Sequence, residues 1–127
     1  MNDFPLVYLA SPFSHKDKLV EHARYLMVLS AWKWIIKNWS NVHVIPAIVL
    51  SYPTVEAGDI PGDWQFWQKF DRTLISKCSE FWVLCVSGYR ESLGVAAELQ
   101  IARSLGLKIK FLVPVLDGYD TRDEEPQ

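Results

Sequence analysis

The sequence predicts one α/β domain, a Rossmann-like or flavodoxin-like parallel sheet of four to five strands with helices on both faces. Three observations carry this expectation. Apolar runs of strand length alternate along the chain with segments of helical length. The chain has 127 residues, enough for one buried core and too few for two. Its composition, 50% hydrophobic and 22% charged, is that of an ordinary globular domain.

The first strand is read at Leu6-Val7-Tyr8-Leu9-Ala10. A helix is expected over about residues 16–38, and it carries two apolar arcs. Leu19, Ala23, Leu26, Met27, Ser30 and Trp34 cover one; Tyr25, Val28, Leu29, Trp32 and Ile36 cover nearly the opposite one. One arc packs on the sheet, and the other is expected to meet a second copy of the chain in a homodimer or higher homo-oligomer. The second strand is Val42-His43-Val44-Ile45. Residues 46–61, with Pro46, Pro53, Gly58 and Pro61, read as a loop over the site. A helix over about 62–78 then leads into the strand Phe81-Trp82-Val83-Leu84-Cys85-Val86. A last helix at about 94–105 precedes the strand Ile109-Lys110-Phe111-Leu112-Val113. The domain is drawn at residues 1–116, and residues 117–127 read as an acidic, mobile C-terminal tail.

Charge and composition narrow the function. Thirteen Lys+Arg against 15 Asp+Glu give a net charge of -2, without the basic footprint that a polymeric nucleic acid requires. Two cysteines, Cys78 and Cys85, are too few for a disulfide framework, and no Cys/His cluster has zinc spacing. No metal or other cofactor is expected. The N-terminus lacks a signal-peptide pattern, and no window is long and apolar enough for a membrane span. The expected setting is the cytoplasm, without a membrane partner.

The informative residues are acids on apolar helix faces. In the last helix, Val95, Leu99, Ile101, Ala102 and Leu105 form the apolar arc, and Glu98 falls inside it. Three and four positions away stand Gly94, Val95, Ile101 and Ala102, so no helical salt-bridge partner is at hand. Burying an unpaired carboxylate costs several kcal/mol, which points to a functional reason. In the preceding helix, Asp71 falls among the inward-facing Trp67, Phe70, Leu74, Ile75 and Cys78. Asp63 projects to the same side at the helix start, where it reads equally as an N-cap.

Two acids converging on one cavity suit chemistry at an acetal carbon: one attacks or stabilises a cation while the other protonates the leaving group. Glu98, close to a helix N-terminus, is expected to be ionised by the macrodipole and to act as nucleophile. Asp71, among aromatics, is expected to have a raised pKa and to donate the proton. Ser92 and Gly94 precede the helix of Glu98 and form a turn with free backbone N–H groups, a candidate anion site. Gly88 lies in a second candidate binding loop, Ser87 to Arg90, where it also reads as a plain turn residue. Tyr8, inside a buried strand, reads equally as core packing. Of the tryptophans, Trp64 and Trp67 lie beside the site.

These residues resemble the nucleoside 2-deoxyribosyltransferase superfamily and its nucleotide N-glycoside hydrolase branch. Tyr8-Leu9-Ala10-Ser11-Pro12-Phe13 is similar to a first-strand Tyr-x-Ala-Gly-Pro-Phe motif. Asp71 with the strand after Cys78-Ser79-Glu80, and Gly94 through Glu98, resemble the other two motifs in order and spacing. Gly62-Asp63-Trp64-Gln65-Phe66-Trp67 is also similar to an element of an uncharacterised bacterial and phage subgroup.

The resemblance implies cleavage of the bond between a base and a sugar in a (deoxy)nucleoside 5′-monophosphate, through a covalent glycosyl-Glu98 intermediate. Water as acceptor makes a hydrolase, and a second base makes a transferase. The resemblance further implies that Asp71 protonates the base, Tyr8 orients Glu98, Phe13 walls the base pocket, and Ser92 with Gly94 cradles the phosphate. Ser11 stands where the motif has Gly, and its hydroxyl is a further phosphate contact. Ser14 stands where the hydrolase branch carries Arg, leaving His15, Lys16 and Arg24 as the nearby cations. The alternative reading is a non-catalytic nucleotide-binding sensor, which has less use for two buried acids.

Overall fold

The structure, a computed structural model, describes residues 4–127. Its elements are β1 (Leu6–Ala10), α1 (Lys18–Asn38), β2 (His43–Pro46), α2 (Ala47–Glu56), α3 (Trp64–Ser76), β3 (Glu80–Leu84), α4 (Leu93–Ser104), β4 (Lys108–Val115) and β5 (Gly118–Arg122). The strands form one sheet in the order β2-β1-β3-β4-β5, parallel except for β5. The expected α/β class, with helices on both faces, is the observed one.

Strand alternation divides the core in two. Val7, Leu9, Trp82, Leu84 and Leu112 point to the face covered by α1, through Val28, Ala31 and Ile35. Tyr8, Ala10, Phe81, Val83 and Phe111 point to the other face, under Ile75 of α3 and Val95 and Ala102 of α4. The connection leaving β1 therefore runs over one face and the connection leaving β3 over the other. A crevice opens between the carboxyl ends of these neighbouring strands, where ligands of such sheets bind.

α1 starts at Asp17, whose carboxylate accepts a 2.9 Å bond from the Leu19 amide. Neither of its two expected arcs alone meets the sheet. The buried stripe is Val28, at the edge of the second arc, with Ala31 and Ile35 between the arcs, while Leu19 and Leu26 remain 79% and 50% exposed on one flank and Ile36 62% exposed on the other.

Two expectations are corrected. Residues 46–61 are not one loop, because α2 occupies the first part despite Pro53 in its interior. Proline deletes one amide donor, but Pro53 faces solvent and the turn it interrupts is anchored by Tyr52. Tyr52 is buried, packs against Tyr25 at 4.5 Å and Phe13 at 5.2 Å, and meets His22 Nδ1 at 3.1 Å. Gly58 and Asp59, at φ 102° and 72°, then end the turn in the left-handed region.

Residues 117–127 are not a free tail. β5 pairs antiparallel with β4 from Val115–Gly118 to Phe111–Arg122. Tyr119 reaches Trp34 of α1 at a ring distance of 5.7 Å, and the Trp34 ring lies so close over Gly118 that a Cβ there would sit 2.4 Å from it. Beyond the strand, Arg90 pairs with Glu125 at 3.2 Å and also donates to the Pro126 carbonyl. Packing of the aromatic face of β5 outweighs the solvation of its acids.

Candidate active site

A cavity of about 460 Å³ opens at the crevice beside β1. Its floor is β1, with Tyr8, Leu9 and Ala10. The segment after β1 adds Ser11, Phe13 and Ser14; α2 adds Ala47, Ile48 and Ser51. One wall is the start of α3, with Gly62, Asp63, Trp64, Trp67 and Asp71. The opposite wall is the start of α4, with Glu91, Ser92, Leu93, Gly94 and Glu98.

At the bottom, three side chains from three elements meet. Glu98 is 8% exposed on the sheet-facing side of α4. Tyr8, fully buried and stacked on Phe81 at 5.5 Å, donates its hydroxyl to Glu98 Oε2 at 2.5 Å. The alternation of β1 turns Tyr8 to the α3/α4 face, so the strand fixes the direction of this bond. Packing of α3 on α4 brings half-buried Asp71 to the same end of the cavity.

The electrostatics correct one expectation. Glu98 is the sixth residue of α4, beyond the first turn where the dipole is felt. Burial, followed by the charge of Asp71, pushes its carboxyl well above the ordinary range, against the Tyr8 hydrogen bond that favours the anion. Burial also raises Asp71, as the sequence led us to expect. Two raised carboxyls this close titrate as a pair, which keeps a proton to higher pH than two separate acids would. The Tyr8 phenol is held well above its usual pKa, first by burial and then by Glu98 and Asp71. It remains a proton donor to whichever carboxyl oxygen faces it.

The rim shows what the remaining expected residues do. Asp63 lines the cavity and also caps α3, accepting from the Phe66 amide at 2.9 Å. The cap reading is the observed one, and the residue also stands at the cavity. Ser92 likewise caps α4 through the Val95 amide at 3.1 Å, so one lone pair of its hydroxyl is engaged. A Cβ on Gly94 would find its nearest neighbour, Ser92 Oγ, at 3.8 Å, so no packing contact demands glycine there. Trp67 donates its indole N–H to the Pro61 carbonyl at 2.7 Å, fixing the ring against the cavity.

Gly88 does not line this cavity. Its φ of 93° makes a turn, and the Arg24 guanidinium lies where its Cβ would be, 2.4 Å away. Arg24 in turn donates to the carbonyls of Phe13 at 3.3 Å and Ser14 at 3.0 Å, tying the segment after β1 to the one after β3. Nor do the other nearby cations line the cavity. His15 Nδ1 accepts from the Asp17 amide at 2.9 Å, and Lys16 is exposed. Glu91 and the α2 residues Ala47, Ile48 and Ser51 fall in segments expected at the edge of the site, 87–94 and 46–61, but the sequence singled out none of them. The α2 residues stood in a presumed loop, and Glu91 is an exposed acid in a turn, for which no periodicity exists to be violated.

Among the described residues no group of three or more His, Cys, Asp or Glu side chains is arranged to hold a metal ion. Among the described residues no helix is long and apolar enough to cross a membrane. No curated protein matches the sequence. A family model described as a domain of unknown function (DUF1937) matches residues 5–112, a span that runs from just before β1 into β4 and contains every residue of the cavity. The chain thus belongs to the DUF1937 family.

Proposed function

We propose that this chain cleaves the N-glycosidic bond of a nucleoside-type substrate through a covalent glycosyl-Glu98 intermediate. The observation that carries the reading is the buried set of Tyr8, Glu98 and Asp71 at the bottom of one cavity. A carboxyl pair that shares its titration, one member able to be acid while the other is anion, is what the chemistry requires. A glycoside over Glu98 develops positive charge at C1′, which favours the Glu98 anion, and its ring nitrogen favours the acid form of Asp71. The Glu98 oxygen then bonds to C1′ as the C1′–N bond breaks; the bond pair leaves with the base, which takes the Asp71 proton. Tyr8 holds the attacking carboxylate in place. Asp71 afterwards deprotonates the acceptor, water in a hydrolase or a second base in a transferase, as it opens the glycosyl ester.

Phe13, Trp64 and Trp67 supply aromatic walls for a base, and Ser11, Ser14 and Ser51 supply hydroxyls for a sugar. Burial pushes the thiols of Cys78 and Cys85 up to about 11, so neither is a ready nucleophile, and both suit a reducing compartment such as the cytoplasm. Assembly of copies through the exposed flank of α1 belongs to the same proposal.

The test is a chromatographic screen of wild type and Glu98→Ala against nucleosides and nucleoside 5′-monophosphates, with and without an acceptor base. Base release or exchange should fall about a thousandfold or more in the variant. Undiminished release in Glu98→Ala, or none from any compound, overturns the proposal. Binding without turnover would favour a sensor instead.

A further inference from the structure

The charges around the cavity bear on the substrate's 5′ end. Four carboxyl groups line the cavity, Asp63, Asp71, Glu91 and Glu98, and among the described residues no Lys, Arg or His does. Arg24, the strongest nearby cation, is turned to the carbonyls of Phe13 and Ser14 and to Gly88. The N-termini of α3 and α4, which both wall the cavity, each offer an anion the equivalent of about half a positive charge. Against them stand four acidic side chains, Asp63 and Glu91 at the rim and Asp71 and Glu98 at the bottom, with no basic side chain among them. The acids win, and the cavity has a net negative field. That field stabilises the cationic sugar of an N-glycoside cleavage and opposes a phosphate dianion.

We infer that the site takes unphosphorylated nucleosides and rejects their 5′-monophosphates, with Glu91 as the specificity-determining residue at the N-terminus of α4. The inference rests on the N-glycosidase reading for the nucleoside itself, but the rejection of phosphate stands on the cavity's charges alone. Glu91 is exposed and immediately precedes the cap Ser92. Its carboxylate thus stands at the turn where a phosphate would meet the free amides. Removing it restores the anion-favouring end of the helix; replacing it by a cation completes a phosphate site.

Isothermal titration of the wild-type chain with each 2′-deoxynucleoside and its matched 5′-monophosphate tests this directly. The monophosphate should bind about tenfold more weakly or worse, and the gap should narrow in high salt. Glu91→Gln should shrink the ratio and Glu91→Lys should reverse it, with circular dichroism verifying that both variants fold. Equal or tighter binding of the monophosphate to wild type overturns the inference, as does an unchanged ratio in Glu91→Lys. Binding and turnover separate the two claims. Selective nucleoside binding without base release defeats the glycosidase reading and upholds phosphate rejection, whereas base release preferentially from the monophosphate does the reverse. Failure of both ligands to bind overturns both.

Discussion

Glu98 is a carboxyl with almost no access to water, and that position has a measurable thermodynamic consequence. Burial and Asp71 raise its pKa above the ordinary 4.5, so the folded chain holds the proton more tightly than the unfolded chain does. By linkage, the stability contributed by this group is fully present below the unfolded value and is lost as pH rises through the folded one. Glu98→Gln removes the titration. Its melting temperature relative to wild type should therefore climb as pH rises above about 4.5, measured by differential scanning fluorimetry. A difference that stays constant with pH would show that burial does not penalise the Glu98 anion. The position of Glu98, and of Asp71, was legible in the sequence because a helix imposes a period that an inward acid visibly breaks. The ionisation of Glu98 was not, since the dipole can be read from the chain but depth beneath neighbouring elements cannot. Glu91 lay in a segment expected at the edge of the site but broke no period, so nothing in the sequence set it apart from its neighbours.

At the level of elements, the start of α3 carries both structure and site. Asp63 caps the helix whose next turns present Trp64, Trp67 and Asp71 to the cavity. Asp63→Ala should cost about 1 kcal/mol of stability, and Asp63→Asn, which keeps an accepting oxygen, less than about half of that. Urea unfolding separates the two; equal losses would mean that charge rather than the cap bond is responsible. Four strands and three helices could be read from alternation and period, because each buries a face of its own. α2 was hidden by Pro53, a local rule overridden by Tyr52 packing on Tyr25 and Phe13. β5 was hidden by composition: Asp117-Gly118 is a turn dipeptide and Tyr119 and Thr121 alternate, but five acids in the last eleven residues mask the pattern.

At the scale of the whole molecule, α1 has more apolar surface than this one domain covers. The sheet takes Val28, Ala31 and Ile35, while Leu19, Ala23, Leu26, Met27 and Ser30 lie on one uncharged, exposed flank. Ala23 and Ser30 are small enough to let a second helix approach closely between the larger side chains. A two-fold contact of α1 with α1 of another copy uses that flank twice, so any substitution in it also counts twice. Leu26→Glu brings two carboxylates into the centre of such an interface and should weaken association by about a hundredfold or more. The residue is half exposed in the single chain, so the fold itself has little reason to suffer. Light scattering coupled to size exclusion should give a dimer or larger assembly for wild type and a monomer for Leu26→Glu, with unchanged circular dichroism. A monomeric wild type would remove the proposed assembly altogether. An assembly that persists in Leu26→Glu would move the contact to the opposite flank, where Ile36 stands beside Leu29, Trp32 and two lysines, Lys33 and Lys37.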